Sequence, residues 1–297
     1  MVPPLVQMVA EPSPAREMEY CRALEEGRIL LFARAPIELP ETERSLLLSQ
    51  RQTRAGYHKN IAYRPAQDRV TGLARGSGAD GERLRDALRL YSRGACAFAS
   101  WLLPRYARSW RLDLASFRPE EEEGRALPLR SRNDLIHVDA FPTRPTRGDR
   151  ILRLFTNVNP SEPRVWLSGG TFEEIAPRFA PAALVERARR GGVGDLLRRF
   201  ARAAGLKVAV RSPYDRFMLS FHHYLKESAA FQQAADKSRV EFPAGATWMV
   251  FTDMVSHAVL KGRYALEQTF VVARESLVLP DKAPIAILER IARAPMG

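Results

Sequence analysis

The sequence predicts an α+β protein, a β-barrel or jelly roll buttressed by helices. Three observations point there. Short apolar segments of strand length lie on both sides of long stretches with helical spacing. These segments do not follow the β-α-β order of a parallel sheet. No internal repeat or low-complexity segment interrupts the pattern. With 297 residues, 45% of them hydrophobic and 27% charged, the chain can bury a substantial core and is too apolar for a disordered one.

The elements follow in chain order. Residues 27–36 (GRILLFARAP) read as a short strand bounded by Gly27 and Pro36. Residues 51–68 are basic and polar. Residues 80–106 read as an amphipathic helix, because Leu84, Leu88, Leu90, Tyr91, Ala95 and Phe98 recur at helical spacing; Pro104 ends or kinks it. Residues 119–124 hold four consecutive glutamates and read as a solvated loop. Residues 136–139 and 150–158 read as strands, separated by the Pro- and Arg-rich loop 142–148. Residues 172–205 read as helical with a break at Gly191-Gly192, and 214–235 as a second helical stretch. Residues 247–251, 257–260 and 264–272 read as strands, with a turn at Lys261-Gly262 between the last two.

Composition excludes several classes. No apolar run approaches the roughly 20 residues of a membrane-spanning helix. Residues 1–10 are apolar but carry two prolines and no basic flank, so a signal peptide is not expected and a cytoplasmic protein is. Two cysteines, Cys21 and Cys96, support neither a disulfide framework nor a Cys-rich zinc site. The formal net charge is +12, and of the 46 basic residues 40 are arginine. Guanidinium groups grip phosphate and carboxylate in bidentate fashion, so this excess suits anionic partners. An Arg-rich composition without functional meaning would look the same.

Five histidines are present: His58, His137, His222, His223 and His257. HExxH, Cys/His zinc spacing, GxSxG and the Walker loop are all missing from the sequence. The sharpest pattern is His137-Val138-Asp139. On a strand, residues two apart point to the same side, so this pair can ligate one metal ion. His257, on a predicted strand, is placed to supply a third ligand. Two imidazoles and a carboxylate on one face leave positions open, as in non-haem Fe(II) oxygenases. His-x-Asp alone also occurs by chance. His222 and His223 compete with His257, but adjacent residues on a helix diverge, so at most one can share a site; a helix-face or substrate-contact role is expected for them. His58 reads as surface or substrate-facing.

Residues 137–160 (HVDAFPTRPTRGDRILRLFTNVNP) resemble the first metal-binding strand and following segment of the 2-oxoglutarate/Fe(II) dioxygenases, and among them the Kdo hydroxylase family. Lys59-Asn60-Ile61, Ser168 to Phe172, Tyr214 to Met218 and residues 242–270 agree, so the resemblance covers roughly residues 55–275. It implies a double-stranded β-helix of the cupin-like kind, with iron held by His137, Asp139 and His257. It also implies a basic residue on the distal carboxylate of 2-oxoglutarate. Arg263-Tyr264-Ala265-Leu266 matches the arginine pattern of related enzymes, although Arg263 lies only six residues beyond His257. Arg274 and Arg153 are the other candidates. Arg144, Arg147 and Arg150 follow the iron-binding segment and, with Lys59 and Asn60, are the expected substrate contacts.

The organisation so implied is one dioxygenase domain over residues 1–297. It has a mixed N-terminal part (1–130) with a supporting helix, and an iron-binding core (131–280) with a helical insertion (172–235). The implied reaction is hydroxylation at the 3-position of Kdo (3-deoxy-D-manno-oct-2-ulosonic acid) in Kdo-lipid A, a lipopolysaccharide modification. It would use Fe(II), 2-oxoglutarate and O2, with ascorbate as reductant. Expected partners are an acidic glycolipid and an anionic membrane surface, peripherally at the inner membrane, and not nucleic acid. Two alternatives stay open: a 2-oxoglutarate hydroxylase of another substrate, such as a protein side chain, and a non-catalytic basic β-barrel that binds nucleic acid or anionic membrane.

Overall fold

The computed structural model describes residues 5–32, 37–50, 60–73, 78–124, 127–191, 197, 200–206, 208, 210–234 and 236–297. In chain order the strands are β1 (Val6–Val9), β2 (Ile29–Phe32), β3 (Ile61–Arg64), β4 (Arg69–Thr71), β5 (Arg111–Arg118) and β6 (Arg150–Asn157). They continue with β7 (Arg164–Thr171), β8 (Ser238–Phe242), β9 (Thr247–Phe251), β10 (Val255–Lys261) and β11 (Ala265–Val272). The helices are α1 (Glu17–Glu25), α2 (Glu41–Ser49), α3 (Gly78–Leu102), α4 (Pro104–Ala107), α5 (Phe172–Phe179), α6 (Ala182–Arg190), α7 (Pro213–Glu227), α8 (Ala229–Ala234) and α9 (Pro284–Ala292).

The strands form two sheets. The larger runs β1-β2-β9-β6-β11-β5-β3-β4 and the smaller β10-β7-β8. Every pairing is antiparallel except β1 with β2. The sheets meet through aromatic rings. Phe155 and Trp248 of the larger sheet pack on Trp166 and Phe242 of the smaller, with Phe242 stacked on Trp248 at 3.9 Å and Trp166 edge-on to Trp248 at 5.7 Å. Such rings bury large apolar area in preferred geometries, and here they close one end of the space between the sheets. This is the α+β jelly-roll architecture that the patterning predicts.

The outer face of the larger sheet is covered by α3. Its buried stripe of Leu84, Leu88, Tyr91 and Ala95 is the periodic set seen in the sequence. The helix stops at Leu102, and Pro104 opens α4, where its fixed φ and missing N–H are tolerated. Ser92 on α3 donates to Gln268 Oε1 of β11 at 2.7 Å, so a polar group facing the helix is satisfied. The insertion between β7 and β8 breaks more often than predicted: α5 and α6 are split before Pro181, and α7 and α8 at Ser228. Capping boxes start two of these helices, Thr171 with Glu174 on α5 and Ser212 with Asp215 on α7.

Two expectations are corrected. Residues 136–139 are not a strand: one bridge, His137 to His257, forms, and Asp139 N then turns to Thr252 O at 2.8 Å. Nor is the glutamate run wholly solvated. Glu122 is buried and accepts from Asn133 at 3.2 Å, while Glu121 caps the Gly262 N–H at 2.6 Å. Buried guanidinium groups behind that loop require the carboxylate.

Candidate metal centre

Alternation determines which side chains enter the space between the sheets. On β6, Arg153 and Phe155 face inward, while Arg150, three residues earlier, must face the other way. On β11 the inward position is Glu267; on β5 it is Arg118; on β7 they are Arg164 and Trp166; on β10 it is His257. The segment before β6 crosses this opening and brings His137 and Asp139 to it. His137 and His257 exchange backbone hydrogen bonds of 3.1 and 2.8 Å, which sets their rings on one side, 5.0 Å apart. These residues, except Glu267, which sits behind Arg153 and Arg118, line a cavity of about 50 Å³.

The two imidazoles could hold a metal ion. His137 Nδ1 donates to Leu135 O at 2.7 Å, and His257 Nδ1 to Val255 O at 2.9 Å. A carbonyl can only accept, so Nδ1 carries the proton and Nε2 presents a lone pair. Burial pushes both histidines below their ordinary range, which keeps them neutral, as ligation requires. Trp166 stacks on the His257 ring at 4.9 Å and fixes its plane.

Asp139 is held from behind. Its Oδ2 lies 2.9 Å from Arg153 Nη2, while Oδ1 faces His137 Nε2 at 3.8 Å. Burial alone would raise this carboxyl; Arg153, the two imidazoles and a hydrogen bond from Thr252 together outweigh burial and hold it well below the usual carboxylate range. Arg153 also bonds Glu267, Glu267 accepts from Arg118 at 2.7 and 3.1 Å, and Arg118 lies 3.9 Å from Glu122. Charges therefore alternate along a buried ladder from Asp139 to Glu122.

Arg164 stands apart from that ladder. Its Nη1 donates to Gly262 O at 2.8 Å, but its buried Nε has no partner, and no carboxylate pairs with it among the described residues. Burial, helped by Arg118, pushes it down to about 10. Gly262 has φ +124°, and a Cβ there would come within 2.9 Å of Arg164, so only glycine suits this contact.

The helical insertion adds two groups. His222 on α7 donates Nδ1–H to Val138 O at 2.7 Å and lies edge-on to His137 at 4.8 Å. Ligand atoms of His137, Asp139 and His222 all lie within 4.8 Å of one another, a set that His257 does not join, so distance alone favours His222 over His257. One turn later, Lys226 is buried and donates to Arg130 O at 3.3 Å; burial pushes it down to about 8. His223 is half-buried beside His222.

The predicted site residues therefore divide. His137, Asp139, His257 and Arg153 line one cavity. Arg153 is engaged by Asp139 and Glu267 and is not free for a co-substrate. Arg263 precedes β11, donates to Pro119 O at 3.3 Å and lies over Tyr264; it does not line the cavity. Arg274 is exposed beyond the far end of β11, because the inward position of that strand is Glu267. Arg150 is sealed in the core on the other face of β6, paired with Asp253 at 2.9 Å and lying over Phe251, so it cannot grip a substrate. Arg144 is half-buried, paired with Asp113 and 4.4 Å above Phe141, whose ring lies 5.9 Å from Arg153. Arg147 is exposed, its backbone N–H held by Asp215 at 3.1 Å. Asn60 is half-buried, with Oδ1 lacking a partner among the described residues; Lys59 and His58 lie outside the described residues. Arg118, Arg164, Trp166 and Glu267 were not anticipated. The alternating texts RLDLASFR and RVWLSGGT of β5 and β7 are the signal that could have found the first three.

Comparison with known proteins gives a consistent result. A sequence profile described as 3-deoxy-D-manno-oct-2-ulosonic acid (Kdo) hydroxylase matches residues 7–295. Solved structures of the Kdo hydroxylase KdoO, a non-haem Fe(II) α-ketoglutarate-dependent dioxygenase, are similar to this chain at 32% identity, covering 99% of it and 97% of theirs. The TM-scores are 0.83 for the complex with α-ketoglutarate and Fe(III), 0.84 with cobalt(II) and 0.82 with succinate and Fe(III). A search of curated protein sequences finds no match.

Proposed function

The chain belongs to the Kdo hydroxylase family, and from that premise we propose that it hydroxylates the 3-position of Kdo in Kdo-lipid A, with iron held by His137, Asp139 and His257. It is an Fe(II)/2-oxoglutarate-dependent dioxygenase. The observation that carries the ligand assignment is the pair of neutral imidazoles, each with Nε2 free, beside a carboxylate whose outer oxygen is already held by Arg153. This donor set fits Fe(II). His257 is preferred to His222 because it faces His137 across a backbone bridge and is clamped by Trp166.

When bound, iron and 2-oxoglutarate supply O2-dependent oxidation, in which 2-oxoglutarate leaves as succinate and CO2 while one oxygen atom enters a substrate C–H bond. The protein's own residues position and exclude. Arg164 is the residue we assign to the distal carboxylate of 2-oxoglutarate, in place of Arg263, because, of the three cavity arginines, Arg118 and Arg153 are paired with carboxylates, whereas Arg164 has no carboxylate partner among the described residues. Trp166 and Phe155 form an apolar wall that keeps water away. Arg144 lies above Phe141, whose ring is 5.9 Å from Arg153, and is the cation we assign to a glycolipid phosphate or carboxylate.

Peripheral attachment to the anionic inner membrane is part of the same proposal. Among the described residues no helix is long and apolar enough to cross a membrane. Leu197, Phe200 and Leu206 are more than 60% exposed, with Arg187, Arg190 and Arg202 nearby in sequence and also exposed, a composition suited to an anionic bilayer surface.

The test is the mass spectrum of Kdo2-lipid A after incubation with the protein, Fe(II), 2-oxoglutarate, ascorbate and O2, with 2-oxoglutarate omitted as control. Gain of one oxygen atom on the sugar, only when 2-oxoglutarate is present, is expected. Succinate formation with an unchanged lipid would move the substrate elsewhere; ascorbate omission tests its role as reductant.

A further inference from the structure

We propose that α7 carries the substrate subsite of this centre: Lys226 Nζ binds the carboxylate of a sugar acid, and His222 Nε2 accepts a hydrogen bond from one of its hydroxyls. The inference rests on the sugar-hydroxylase reading and adds the residues that recognise the sugar.

Lys226 is 4% exposed, and among the described residues its ammonium has one hydrogen-bond partner, the Arg130 carbonyl. A buried ammonium without an ion-pair partner is unfavourable, and such a group beside a candidate centre is a candidate binding residue. The acids nearest to it are already engaged. Asp139 is held by Arg153, Asp134 by Arg132 through two hydrogen bonds, and Glu122 by Asn133 with Arg118 beyond. Lys226 is therefore the surplus cation on this side of the centre. The two positive charges of Fe(II) and the two negative charges of 2-oxoglutarate cancel, so loading the centre does not satisfy it.

His222 lies four residues before Lys226, on the same face of α7. Its Nδ1–H is committed to Val138 O, the carbonyl between the two ligands His137 and Asp139. Nε2 is thus an acceptor, and a ring nitrogen of His222 lies within 4.8 Å of ligand atoms of both. One cationic donor and one neutral acceptor, a helical turn apart, match a carboxylate flanked by hydroxyls. In Kdo the carbon to be oxidised lies two bonds from the carboxyl carbon, so anchoring that carboxylate on α7 brings the reacting C–H toward the iron ligands.

The experiment uses the full chain loaded with Co(II) and 2-oxoglutarate, and measures binding of free Kdo and of its methyl ester by calorimetry and by the cobalt absorption spectrum. Lys226→Met is expected to weaken binding of the acid by at least about tenfold, while Lys226→Arg restores part of it. The ester should bind the wild type and Lys226→Met equally weakly. His222→Phe should weaken acid and ester alike, and His222→Gln, which can donate to Val138 O and accept with its other atom, should keep affinity. Cobalt content and 2-oxoglutarate affinity should stay at wild-type values in all of them. Equal binding of the acid by wild type and Lys226→Met, no binding by the wild type, or parallel loss of cobalt or 2-oxoglutarate would overturn the inference. Failure of the broader reading looks different: the wild type would then convert 2-oxoglutarate without adding oxygen to Kdo2-lipid A.

Discussion

Arg153 Nη2 lies 2.9 Å from Asp139 Oδ2, so one oxygen of the proposed iron carboxylate is held by a guanidinium whatever occupies the metal position. Glu267 holds the other side of Arg153, and Arg118 holds Glu267. A metal ion bound here would meet a carboxylate whose orientation is set and whose charge is preserved. Partners of this kind behind a ligand typically contribute about 10- to 100-fold to metal affinity. Arg153→Met should therefore weaken Co(II) binding by roughly that factor, with a changed cobalt spectrum. Arg153→Lys should recover part of the loss. Unaltered cobalt affinity in Arg153→Met would remove the positioning role.

Arg164 and Arg263 separate two assignments for the co-substrate. Arg164 reaches the cavity with an unmatched buried Nε, whereas Arg263 is spent on Pro119 O outside it. Arg164→Met should raise the KM for 2-oxoglutarate by about tenfold or more, since a buried carboxylate would lose its cation. Arg263→Met should leave it within about twofold. Steady-state succinate formation at varied 2-oxoglutarate checks both, and the reverse ranking would return the role to Arg263.

How much of this was legible in the sequence follows from the range of each signal. His137-Val138-Asp139 is local, and its reading carried through to a shared cavity with His257 even though residues 136–139 form a bridge, not a strand. The strands 247–251 and 264–272 were found because their apolar runs are continuous. The arginines were harder. Arg150 and Arg153 are equivalent as text, and only the strand's alternation sends one to Asp253 in the core and the other to Asp139. Arg164 and Arg118 were missed because their strands were not read at all. Which arginine lacks a carboxylate is a property of the assembled sheets, and no window of sequence contains it. His222 illustrates the same limit: its partner Val138 O is 84 residues away.

Arg150 tests the parity argument by itself. It is fully buried, bonded to Asp253 and stacked over Phe251 at 4.1 Å. Removing one member of a buried pair strands the other charge, at a cost of about 3–5 kcal/mol. Arg150→Met should therefore lower the urea midpoint steeply. At temperatures where it stays folded, its KM for the glycolipid should match the wild type. A raised KM with unchanged stability would instead restore Arg150 to the substrate site.

Lys226 gives a stability prediction whose sign is fixed by its burial. In the folded, metal-free protein burial lowers it from 10.5 to about 8, against the pull of Asp139, Asp134 and Glu122. Below pH 8 the lysine is charged in both folded and unfolded chains, and the fold carries the whole cost of the buried ammonium. Between pH 8 and 10.5 the unfolded chain binds more protons than the folded one, so this lysine's contribution to stability rises with pH. Above that window it is neutral in both states and the cost is gone. Lys226→Met should therefore be more stable than the wild type at pH 7, by an amount on the order of 2 kcal/mol, and the advantage should shrink as pH rises toward 10. All other titrating groups are common to the two proteins and largely cancel in the difference. Urea unfolding of both at pH 7 and pH 10 measures it. A methionine variant less stable at pH 7, or a difference that does not move with pH, would mean that Lys226 is a structural cation whose Arg130 contact holds the fold together. A variant that gains stability while losing the sugar acid would show that the charge is kept there for the ligand.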